Sequence, residues 1–162
     1  MPQPAEVTLV TDTQIRVVRE FDAPRDLVYL AYAKPELVQR WLLGPPGWSM
    51  PVCEMDLRPG GSYRYRWRQQ QSGREFGFRG TYSRVDPGER IDSSQWPDDA
   101  EPMGSMELVT TFIKIGGRTR VEYLMTAPSK EARDAAIATG MTDGMEMSFQ
   151  ALDGVLQDGS VG

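Results

Sequence analysis

The stretch from Pro128 to the C-terminus constrains the rest of the chain. Pro128 breaks the preceding strand, Ser129 is placed to cap a first turn, and Glu131 and Asp134 suit a helix N-terminus. From there Ala132, Ala135, Ala136, Met141, Met145, Phe149, Leu152 and Leu156 recur at spacings of three and four. That spacing draws one apolar face on a long helix, with Asp143, Glu146, Gln150 and Asp153 largely off it. No earlier segment has a helical pattern of comparable length. Gly140 and Gly144 fall inside the pattern, where each costs about 1 kcal/mol relative to Ala. They are either tolerated glycines of a core helix or points where backbone approach or open space is required. A helix with one broad apolar face needs a broad apolar partner, and the expectation is a curved sheet wrapped around it with a ligand cavity between.

The rest of the chain supplies such a sheet. Met1 to about Thr11 is weakly patterned and reads as a loose terminus. Gln14 to Phe21 is rich in β-branched and aromatic residues and reads as the first strand. Pro24 suits the first position of a short helix with Leu27, Val28, Ala31 and Tyr32 on its face. A second short helix follows Lys34-Pro35, with Leu37, Val38, Trp41 and Leu42 on its face, and Gly44-Pro45-Pro46-Gly47 stops it. The period then changes to two. Pro51–Leu57, Ser62–Gln69, Phe76–Tyr82, a short strand near Arg90–Trp96, Met106–Lys114 and Arg118–Thr126 alternate between turn signals. Pro97 to Gly104 is an acidic loop with Asp98, Asp99 and Glu101. Gly116-Gly117 is a strong hairpin signal. One strand, two short helices, six strands and a long helix make an α+β fold with a seven-stranded antiparallel sheet. No repeat or linker divides the 162 residues, so one domain is expected.

Composition removes whole classes of chemistry. The chain has no histidine and a single cysteine, Cys53. It therefore holds no Ser-His-Asp triad, no Cys-His pair, no His-ligated or Cys-cluster metal site and no internal disulfide. A net charge of -5 argues against a nucleic-acid partner. No apolar run approaches the roughly 20 residues needed to span a membrane. The first residues lack a basic start followed by an apolar stretch, so no signal peptide is expected and a cytoplasmic location follows by default.

The order of elements resembles the START-like helix-grip (SRPBCC) superfamily. Within it, the chain is similar to the bacterial branch related to the activator of the heat-shock-protein-90 ATPase and to polyketide cyclase-like proteins. The matching residues are Arg19-Glu20-Phe21-Asp22-Ala23-Pro24, Pro35-Glu36-Leu37 with Trp41, and Gly44-Pro45. They continue through Glu54-Met55-Asp56-Leu57-Arg58-Pro59-Gly60-Gly61, Gly80-Thr81-Tyr82, Pro87-Gly88-Glu89-Arg90-Ile91, and Gly140-Met141 with Gly144. The resemblance covers roughly Gln14 to Leu156. The family often has a second Trp after Trp41 and an aromatic after the helix glycine, where this chain has Leu42 and Met145. The resemblance implies a helix-grip fold, a cavity mouth near the short helices and a stress-response or chaperone-related partner. A cyclase or hydrolase activity is the remaining implication.

The residues themselves point to a pocket. Tyr63, Tyr65 and Trp67 share one face of a strand, and Phe76, Phe78 and Tyr82 line the next. Met141, Met145 and Phe149 of the helix can face them. Buried Tyr and Trp carry polar groups that need partners, as in a site with apolar walls and a few placed hydroxyls, whereas an ordinary filled core needs fewer of them. A cavity of a few hundred cubic ångströms is expected, holding a small hydrophobic or aromatic molecule without a cofactor. Trp41 and Trp48 flank the Gly44–Gly47 loop and either gate the mouth or anchor the loop. Arg64, Arg66 and Arg68 form a basic stripe, read as a solvated outer face paired with carboxylates or as a contact for phosphate. Glu54 and Asp56 fall out of phase with Cys53, Met55 and Leu57, which places the carboxylates outside and the thiol inside. No catalytic constellation emerges. Monomer and homodimer both remain open.

Overall fold

A computed structural model describes residues 3–99, 104–159 and 161, so Glu101 of the acidic loop lies outside the described residues. The elements run β1 (Glu6–Thr11), β2 (Gln14–Phe21), α1 (Arg25–Ala33), α2 (Pro35–Trp41), β3 (Trp48–Met55), β4 (Ser62–Gln69), β5 (Glu75–Asp86), β6 (Arg90–Pro97), β7 (Met106–Ile115), β8 (Arg118–Thr126), α3 (Lys130–Ala138) and α4 (Met141–Gln157). All strands join one antiparallel sheet in the order β1-β2-β8-β7-β6-β5-β4-β3. The helices cover one face, and α2 bridges β3 and α4. This is the expected α+β helix-grip architecture.

Two expectations need correction. The sheet has eight strands, because Glu6–Thr11 is not a loose terminus but pairs with β2 from Glu6↔Val18 onward. All six of its residues are exposed, so no buried-exposed alternation marked it. The C-terminal helix is also two helices. Ser129 accepts from the Ala132 N–H, as a cap should. Gly140 then adopts φ +82° and separates α3 from α4. That left-handed conformation costs an L-residue roughly 1–2 kcal/mol, so Gly140→Ala is expected to destabilise by about that amount. Gly144 is different: a Cβ there meets nothing within 4 Å. Gly144→Ala is expected to stabilise by about 0.5–1 kcal/mol through helix propensity. Chemical denaturation of the two variants reads the contrast, and equal effects would contradict it.

The inner face of the sheet is set by alternation. On β2, Ile15, Val17, Arg19 and Phe21 are buried, and their register partners Met125, Tyr123, Val121 and Thr119 on β8 face the same way. Phe149 of α4 packs against Phe21 and Tyr123, with ring centroids 5.8 and 5.7 Å apart. Leu152 and Val155 complete the buried stripe of α4.

Candidate functional site

Arg19 is the inner-face residue that sequence reasoning missed as a site candidate. It stands in phase with Ile15, Val17 and Phe21, and although it is an arginine it is only 3% exposed. It donates to both oxygens of Asp153, at 2.9 and 2.8 Å, and to both of Glu146, at 3.3 and 3.1 Å. Glu146 also accepts from the Ala5 N–H at 2.9 Å and from Gln150 at 3.2 Å. Both carboxylates were expected off the packed face of the helix. Seven residues apart on α4, they instead share the edge that meets β2. Burial pushes the Glu146 carboxyl up, but the bonds from Arg19, Ala5 and Gln150 hold it below the usual range. Burial alone would lower the Arg19 guanidinium, and the two carboxylates more than reverse that. The triad therefore fixes where α4 lies on the sheet.

Beside it lies an aromatic surface rich in hydroxyls. By register, Tyr63, Tyr65 and Trp67 of β4 oppose Gly80, Phe78 and Phe76 of β5. The missing side chain of Gly80 makes room for Tyr63: an added Cβ would meet its ring at 2.2 Å. Tyr63 and Tyr82 are buried, with ring centroids 4.9 Å apart. The Tyr63 hydroxyl donates to Gln95 at 3.0 Å and lies 3.2 Å from Ser93. From α1, Tyr32 hydrogen-bonds the Tyr123 hydroxyl, and Tyr29 packs on Phe112. All six tyrosines of the chain thus turn toward the space between the sheet and the helices. The Tyr65 and Tyr82 phenols interact, but the buried Tyr82 hydroxyl forms no hydrogen bond of normal geometry.

Burial raises every one of these phenols, Tyr63 to about 12. Free tyrosine ionises near pH 10. Folded protein is therefore expected to show little phenolate absorbance at that pH. A raised folded value means that stability is intact below the unfolded value and falls as pH rises past it. Phenolate absorbance should accordingly appear together with unfolding. Titration of several tyrosines near pH 10 in folded protein would contradict the burial. Cys53 belongs to the same wall. Burial, with Glu36 adding to it, pushes its thiol up to about 11, so it is not a reactive nucleophile.

The remaining candidates divide by exposure. Trp41 is 2% exposed, donates its indole N–H to the Ala31 carbonyl at 2.9 Å and packs on Tyr32. Phe149 is equally buried. Tyr65, Trp67, Phe78, Met141 and Met145 are half-buried. Trp67 donates to the Leu42 carbonyl at 2.7 Å and stacks on Phe76, which is 42% exposed; Trp48 meets Phe76 edge-on. The Gly44 N–H donates to Ser148 of α4 at 2.9 Å, tying the loop to the helix. Deep phenols thus grade into an open rim of Trp48, Trp67 and Phe76. Two hollows of about 480 and 340 Å³ lie elsewhere, on the outer face of the sheet. Neither is the expected space between sheet and helix. On the outer face, Glu54 and Asp56 are exposed, and Arg66 pairs with Glu75 and Asp98.

Among family models, the one described as Activator of Hsp90 ATPase homolog 1-like protein matches residues 22–157. The chain belongs to this family. A solved structure from Rhodobacter sphaeroides is similar over 96% of this chain and 99% of that one, with a TM-score of 0.89 and 26% identity. One from Chromobacterium violaceum covers 89% and 97%, with a TM-score of 0.77 and 28% identity. One from Nitrosomonas europaea shares the fold at a TM-score of 0.83 and 22% identity, over 95% and 100%. Comparison with curated proteins returns no match. Membership in the activator-like family makes the chain a ligand-binding or interaction module in the general sense. Among the described residues, no helix is long and apolar enough to cross a membrane, and no cluster of metal-ligating side chains forms.

Proposed function

We propose that this protein binds a small hydrophobic or aromatic molecule between the inner face of the sheet and α4. Tyr65, Trp67 and Phe78 form one wall and Met141 and Met145 the other. Trp48 and Phe76 stand at the rim, and Tyr63, Tyr82, Trp41 and Phe149 pack behind. The observation that carries this reading is the inward turn of all six tyrosines, one of whose buried hydroxyls, that of Tyr82, makes no hydrogen bond of normal geometry among the described residues. An aliphatic core fills space without polar atoms, whereas a ligand wall uses apolar area with a few placed hydroxyls. The half-buried methionines add adaptable surface. The two carboxylates that reach this face from α4 are held by Arg19, which suits them to fixing the helix rather than to proton transfer. The reading is therefore binding without turnover.

Native mass spectrometry beside denaturing mass spectrometry tests it. A reproducible excess mass that denaturation releases is expected, and Trp67→Ala should lose it. If there is no excess mass, and a panel of apolar compounds gives no thermal stabilisation, the reading fails. The rim of exposed Phe76 and half-buried Trp48 then becomes a surface for a chaperone or another protein partner.

A further inference from the structure

The outer face of the sheet carries the hollow of about 480 Å³, within the range of roughly 300–1,000 Å³ usual for small-molecule sites. Register aligns Glu54, Arg64, Arg79 and Trp96 in one row across β3, β4, β5 and β6, with Ser62 and Thr81 paired in the next row. Two arginines directly opposite on neighbouring strands repel each other. Arg66 shows how such a charge is normally satisfied, with Glu75 at 3.2 Å and Asp98 at 2.6 Å. Arg64 is not satisfied in this way. Its Nε is shielded from water and makes no hydrogen bond among the described residues, and it lies 3.6 Å from the Asp98 oxygen that Arg66 already holds. Arg79 is exposed and has no hydrogen bond or ion pair among the described residues. Of the carboxylates lining the hollow, Asp56 is taken by Arg58 at 2.8 Å, and Glu54 forms no ion pair with Arg64.

We propose that this hollow binds a small aromatic oxyanion, a carboxylate or a phosphate ester. Its head group lies between Arg64 and Arg79, within reach of the Ser62 and Thr81 hydroxyls, and its ring lies against Trp96. An oxyanion there relieves the repulsion of the two guanidinium groups and supplies the acceptor that the Arg64 Nε–H lacks. The site is independent of the inner-face reading, because Trp96 and both arginines point away from α4.

Titration of the labelled protein with phenyl phosphate, benzoate and inorganic phosphate, read by ¹H–¹⁵N resonances of the Arg Nε and Trp Nε1 groups, tests this. Phenyl phosphate or benzoate should give saturable shifts at Arg64, Arg79 and Trp96, and the tighter of the two identifies the head group. Inorganic phosphate should bind more weakly than phenyl phosphate. R79Q removes an exposed side chain with no ion pair among the described residues and relieves its repulsion of Arg64, so it should not lower the thermal midpoint while weakening binding by about tenfold, the loss of one charge-assisted contact. W96A should bring phenyl phosphate down to the level of inorganic phosphate. Shifts that do not saturate, that survive R79Q, or that fall on Trp48 and Trp67 instead of Trp96 would overturn the proposal.

Discussion

Arg19→Met is expected to lower stability by about 3–5 kcal/mol, the usual consequence of removing one partner from a buried ion pair. At roughly 2–4 °C per kcal/mol for a chain of this size, the thermal midpoint should fall by on the order of 10 °C. The effect is large because Arg19 is 3% exposed while Glu146 and Asp153 remain at the helix edge without a counter-charge. The shape-filling part of the loss is small, since Met keeps most of the stem. The Glu146 side of the triad adds a pH signature. Its carboxyl is held below the ordinary glutamate value of about 4.3, so its contribution is present above that value and is lost as pH falls through the folded one. The gap between wild type and R19M should therefore narrow below about pH 4.5. Adding Glu146→Gln and Asp153→Asn to R19M should recover part of the loss, because it removes the orphaned charges. Urea unfolding of these variants from acid to neutral pH checks all three statements. A loss below about 1 kcal/mol for R19M, as for a surface pair, would mean that the triad does not set the position of α4.

Trp41→Ala and Trp48→Ala are expected to separate anchoring from ligand contact. Trp41 is buried under Tyr32 and bonded to the Ala31 carbonyl, so its removal leaves both a void and an unsatisfied acceptor. A cost of about 3–5 kcal/mol follows. Trp48 is half-buried at the rim and touches Phe76. Its removal should cost about 1 kcal/mol or less but should reduce the released mass in native spectrometry. If instead W41A proved nearly neutral to stability and changed only ligand retention, Trp41 would be a gate. Calorimetry and native spectrometry on the same two preparations decide between these outcomes.

Much of this molecule is legible in its sequence. Gln14–Phe21, Ser62–Gln69 and Arg118–Thr126 are read with the bounds the structure shows, because Gln14–Phe21 is rich in β-branched and aromatic residues, Arg118–Thr126 follows the Gly116-Gly117 hairpin signal, and Ser62–Gln69 alternates sharply. The aromatic faces of β4 and β5 were legible for the same reason. Glu6–Thr11 carries Val7, Leu9 and Val10, but its short pattern beside Pro2 and Pro4 reads as a loose terminus; only its pairing with β2 makes it a strand, and all six residues stay exposed at the sheet edge. Gly140 falls inside one long helix by periodicity, and only its positive φ shows the break. Arg19 was visible as an arginine in phase with buried residues, but its partners were not. They lie 127 and 134 residues away and were assigned to the polar side of a helix.

The sequence by itself determined which faces are apolar, where the strands turn and which reactions the chain has no residues to perform. Those properties depend on neighbours a few positions apart and on composition. Only the tertiary structure decided that Arg19 clamps α4, that the six phenols meet in one interior, and that Arg64 and Arg79 stand side by side on neighbouring strands. Such pairings depend on sheet register and helix placement, which bring together residues that no local period connects.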